Sequence, residues 1–151
     1  MGISIYKYEN DTYVPVSDDL TSPISTVHDG KNGTTRVLQL FLRNDDSDLW
    51  YSNIKISPED TENAYPYGDV VYSETGWGIK LIAQESQPTV AEWEDKEWGD
   101  FIWMENIGSD SSADISTYFS FWYLISSPPN INADNKSDIN LDVAYTENAV
   151  V

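Results

Sequence analysis

At 151 residues without a single cysteine, the chain fits one domain that buries about two-thirds of its unfolded surface with neither disulfides nor thiolate metal sites. Its 26 acidic and 8 basic residues give a formal charge of −18, which repels phosphate backbones and anionic lipid and argues against direct nucleic-acid or membrane binding. Hydrophobic content of 40% with 13% aromatics argues against general disorder; no apolar run reaches transmembrane length, and Met1 to Tyr6 lacks the basic and apolar regions of a secretory signal.

Residues 1–22 predict an N-terminal arm or edge hairpin, and 23–151 the main domain. Ile3, Ile5 and Lys7 alternate on one face, Glu9-Asn10-Asp11 has turn composition, and Tyr13 to Val16 is a second apolar stretch. After the turn Asp29 to Gly33, residues Thr34 to Arg43 read as a strand. Leu38, Leu40 and Leu42 fall on one face, and Val37, Gln39, Phe41 and Arg43 on the other. A following strand is predicted with Trp50, Ser52, Ile54 and Ile56 on one face and Tyr51, Asn53 and Lys55 on the other. Pro58 is expected to end it, because proline cannot donate to a ladder.

Tyr65 to Gly68 then reads as a turn and Asp69 to Ser73 as a short strand. Gly76 to Gln84 reads as another, with Trp77, Ile79 and Leu81 sharing a face. Residues 85–100 are polar around Trp93 and Trp98 and can hold a helical turn; Phe101 to Met104 form a further short strand. Ile139, Leu141, Val143 and Tyr145 alternate in the last one. Most informative is Tyr118 to Ile125, where both faces carry large side chains: Phe119, Phe121, Tyr123 and Ile125 on one, Tyr118, Ser120, Trp122 and Leu124 on the other. One face fills a core, and the other needs a second cover, from the chain's own middle segment or from a neighbour.

Seven to nine short strands, with turn signals every ten or so residues, predict an all-β protein. The fold expected is an antiparallel β-sandwich of immunoglobulin-like or jelly-roll type. The succession Leu40-Phe41-Leu42-Arg43-Asn44, Tyr51 to Ile56, Gly76-Trp77-Gly78, and Phe119 to Pro128 before a closing strand resembles the immunoglobulin-like sandwiches of bacteriophage virion proteins. In that family a strand ending in leucine-arginine-asparagine precedes an aromatic strand, and a late phenylalanine-tryptophan strand runs into proline. The resemblance spans residues 34–147, and the tryptophan-rich stretch at 93–103 has no counterpart in it. It implies a capsid-surface, neck or tail component, made in the host cytoplasm and carried in the virion with other structural proteins as partners.

Motifs of catalysis are weak. His28 is the only histidine, and no Gly-x-Ser-x-Gly elbow accompanies it. Glu92, Glu94, Asp95 and Glu97 cluster around Trp93 and Trp98; paired carboxylates beside indoles are the elements of a glycosidase, yet so acidic a chain clusters carboxylates by composition. Asp45, Asp46 and Asp48 are the candidate Ca²⁺ ligands, since hard cations want several oxygens from one loop, although such loops also form Asx turns for local reasons. Aromatics are the stronger handle, because Trp and Tyr anchor interfaces and sugar platforms. Trp93, Trp98, Tyr118 and Trp122 are the candidate binding residues. The expectation is a non-enzymatic virion assembly protein; the alternative is a carbohydrate-binding module, calcium-stabilised or not, with an aromatic platform.

Overall fold

A computed structural model describes residues 2–16, 31–60, 72, 77–129 and 139–151. These residues form an antiparallel β-sandwich with eight strands and one short helix: β1 (Ile3–Glu9), β2 (Thr12–Pro15), β3 (Thr35–Asn44), β4 (Leu49–Asp60), β5 (Gly78–Ile82), α1 (Val90–Glu94), β6 (Ile102–Trp103), β7 (Phe119–Ser126) and β8 (Ile139–Ala149). One sheet has the order β2-β1-β3-β7-β5, and the other β6-β4-β8.

The first strands form a hairpin that belongs to the larger sheet, since β1 pairs with β3 from Ile3 opposite Asn44 to Lys7 opposite Leu40. Its turn has two residues, Asn10 and Asp11, both with positive φ (53° and 60°). That geometry matches the twist of paired strands, and Asn and Asp tolerate it better than most side chains.

Alternation in β3, β5 and β7 places Leu40, Leu42, Ile79, Leu81, Phe121, Tyr123 and Ile125 against Tyr51, Ile54, Ile56, Ile102, Ile107 and Leu141 of the other layer. Burying each of these aliphatic and aromatic side chains contributes roughly 1.5–3 kcal/mol, so this inter-sheet layer dominates the stability of the molecule. Asn44, fully buried at the end of β3, closes one end of it. Its Nδ2 donates to the carbonyls of Leu49 (2.7 Å) and Ala113 (2.9 Å), and its Oδ1 accepts the Asp46 N–H (2.9 Å).

The faces of β4 differ from simple alternation. The ladder with β8 shifts register between Ser52 and Lys55, and Asn53 has φ 51°. This bulge inserts one residue, so Tyr51 points inward with Ile54 and Ile56, all fully buried, while Trp50 takes the opposite face. The pairing of β4 also runs through Pro58 to Asp60, opposite Leu141 to Ile139; among the described residues β4 pairs only with β8 there, since its pairing with β6 stops at Ile56. The turn at Tyr65 to Gly68, the strand at Asp69 to Ser73 and His28 lie outside the described residues, Tyr72 excepted.

Candidate binding face

The outer face of the five-stranded sheet carries two aromatic regions. At the first end, register sets Val37 beside Leu124 and Lys80, and Gln39 beside Trp122 and Ile82. The chain between β5 and β6 folds back over this end. Thr89 caps α1 with a capping box: its hydroxyl accepts the Glu92 N–H (3.2 Å), and Glu92 Oε1 accepts the Thr89 N–H (3.0 Å). The helix thereby sets Trp93 onto Ile82 and Leu124, with Val37, Trp98 and Trp122 packed around them. Lys80 fastens the cover, donating to the Trp93 carbonyl (2.9 Å) with its ammonium 4.6 Å from the Trp98 ring centroid.

Trp93 and Trp98 are therefore placed as the cover and Trp122 as part of what is covered; Trp93 is 8% exposed. The second face of Tyr118 to Ile125 is sealed here by the chain's own middle segment.

At the second end the sheet face is made of aromatic rings, of which Tyr8 and Tyr13 are exposed. Tyr6 sits opposite Phe41 and Tyr8 opposite Tyr13, and Tyr118 precedes β7 on the same face. Tyr13 stacks face to face on Tyr118 (centroids 3.7 Å, 10°). Phe41 meets Tyr13 edge-on at 5.1 Å, Tyr6 meets Tyr118 at 5.4 Å, and Tyr8 meets Tyr13 at 4.9 Å. Arg43 holds the ladder. Its guanidinium lies 4.9 Å from the Tyr118 centroid, bonds the Tyr118 hydroxyl (2.9 Å) and donates through Nε to the Ile115 carbonyl (2.8 Å). Tyr6 donates to Asp45 Oδ2 (2.7 Å); burial first, and then this bond to a carboxylate, push its phenol up to about 12. The outcome is a contiguous set of rings, Tyr8 being 53% and Tyr13 37% exposed.

Of the residues expected to bind, Tyr118 alone lies in this open ladder. Tyr8, Tyr13, Phe41 and Arg43 join it through register. The signal for them was a pair of tyrosines flanking a two-residue turn, together with the outward side of β3. The acidic loop serves local ends: Asp45 accepts from Tyr6 and lies 3.5 Å from Arg43 Nε, and Asp46 Oδ1 accepts the Asp48 N–H (2.9 Å). Among the described residues, no three His, Asp or Glu side chains gather as a metal-binding group.

Comparison with known proteins returned no matching family model, no matching curated protein and no matching solved structure.

Proposed function

We propose that the protein is a non-enzymatic assembly component that docks on another protein through the open aromatic ladder of Tyr8, Tyr13, Phe41 and Tyr118 around Arg43. The observation that carries this reading is the Tyr13–Tyr118 stack pinned by Arg43. Ordered Tyr rings with an Arg at their centre are the residue types that dominate binding energy in protein interfaces. Being held already, they lose little side-chain freedom on docking. The charge of −18 keeps the free subunit soluble and favours a partner with a basic surface around the contact. The resemblance of Leu40 to Asn44 and Phe119 to Pro128 to phage virion sandwiches makes another virion subunit the partner we propose.

The test is density-gradient separation of the particles formed in the native host, with wild-type chain and with Tyr13→Ala. Wild-type chain is expected to travel with the particle. Tyr13→Ala is expected to stay at the top of the gradient as a folded monomer, since losing one stacked, half-exposed ring costs about 1 kcal/mol of stability. A wild-type chain that never leaves the monomer fraction overturns the reading.

A further inference from the structure

A groove opens at the β5 edge of the five-stranded sheet, the edge opposite β2, between α1 and the strand β6. Its volume is about 510 Å³, and Gln84, Glu92, Asp95, Lys96, Phe101 and Trp103 are among the residues that line it. That size falls within the roughly 300–1,000 Å³ of small-molecule sites. Trp103 is 59% and Phe101 42% exposed, and the two rings meet edge to face at 5.8 Å. Lys55 sits 4.9 Å from the Phe101 centroid, so Trp103 supplies the open aromatic surface.

The polar groups beside it are sorted by what they already do. Glu92 Oε1 is held by the Thr89 N–H, and the Gln84 amide N–H is given to the Ser86 carbonyl (2.9 Å). Glu92 Oε2 and Gln84 Oε1 remain as acceptors. The Asp95 carboxylate and Lys96 ammonium enter no ion pair among the described residues. The groove thus offers several acceptors and a donor next to one broad apolar ring.

This combination selects a ligand chemistry. An anion meets two carboxylates on a chain of charge −18. A wholly apolar ligand would desolvate Asp95, Glu92 and Lys96 without partners, which is unfavourable. A simple cation meets Lys96 in the groove itself and Lys55 on Phe101. A sugar ring fits each requirement, because its hydroxyls both donate and accept while its C–H face is apolar.

We infer that the groove binds a neutral pyranose unit of an oligosaccharide, its C–H face on Trp103 and its hydroxyls bonded to Asp95, Glu92 and Lys96. The site shares no residue with the aromatic ladder, so the two surfaces can be occupied together and fail independently.

The experiment follows the tryptophan indole N–H signals of the full chain by heteronuclear NMR, with cellohexaose, maltohexaose and N-acetylchitohexaose each added to millimolar concentration. At least one sugar is expected to move the Trp103 signal saturably. Trp103→Ala and Asp95→Asn are each expected to weaken that binding about tenfold or more, equivalent to about 1.4 kcal/mol. Circular dichroism checks that both variants fold, and Trp103 is exposed enough that its removal leaves the core intact. If no sugar moves the Trp103 signal, the inference is overturned. It is equally overturned if only other indoles move, or if Trp103→Ala binds as well as wild type.

Discussion

The two ends of the outer face of the five-stranded sheet both present large apolar side chains, and the chain treats them differently. At the Leu124 end, α1 brings Trp93 down onto the strand surface, and Lys80 ties the segment in place. At the Tyr118 end, stacked rings and a guanidinium close the surface laterally while their edges stay in water. The side chains explain the choice. Leu124 and Ile82 have no polar atoms, so only burial satisfies them. Tyr8, Tyr13 and Tyr118 carry hydroxyls that remain hydrated or bonded, which lets an apolar ring persist at a surface.

The largest blow to this contrast is Trp93→Ala. Deleting a buried indole between Ile82 and Leu124 is expected to remove about 3–5 kcal/mol, read by urea denaturation, and to leave the Tyr13–Tyr118 stack in place. A loss below about 1 kcal/mol would mean the segment only rests on the sheet, and the two ends would then be alike.

Gly78→Ala comes next. A Cβ at that position would lie 2.7 Å from Trp98 Cε3 and 2.5 Å from Tyr72 Cβ, so the cover must shift outward. Overpacking of this kind is expected to cost about 1–3 kcal/mol, measured as a lower denaturation midpoint. A matching change in Trp fluorescence would locate the shift at Trp98.

The smallest effect belongs to the open end. Tyr6→Phe removes the bond to Asp45 and is expected to cost about 1 kcal/mol at neutral pH. The same residue predicts an alkaline dependence. Tyr6 and Tyr51 ionise near 12 in the folded protein against 10 when unfolded. The unfolded chain therefore loses their protons first, so their contribution to stability is whole below pH 10 and falls as pH rises toward 12. Denaturation midpoints across that interval should drop, and more gently in Tyr6→Phe. An equal slope in both proteins would show that the Tyr6 phenol is not protected as the geometry requires.

Much of the sandwich is legible in period-two alternation. Leu38, Leu40 and Leu42, then Phe121, Tyr123 and Ile125, declare their inward faces because a strand exposes alternate residues to one side. Excess apolar content on the second face of Tyr118 to Ile125 likewise announces that something must cover it. The bulge at Asn53 escapes this reading. One inserted residue leaves composition unchanged yet reverses every face beyond it, and so buries Tyr51 in place of Trp50.

The candidate surfaces follow the same division. The sequence by itself determined an all-β, cysteine-free, strongly acidic chain with more aromatic area than one alternating core needs. That much depends on local composition and on the fixed geometry of a strand. Only the tertiary structure decided which aromatics are cover, which form an open ladder and which line a groove. Tyr13 meets Tyr118 across 105 positions of chain, and Trp103 comes to line one groove with Asp95. Such meetings are set by sheet order and by where a connecting segment folds back, and neither is written in the neighbours of any one residue.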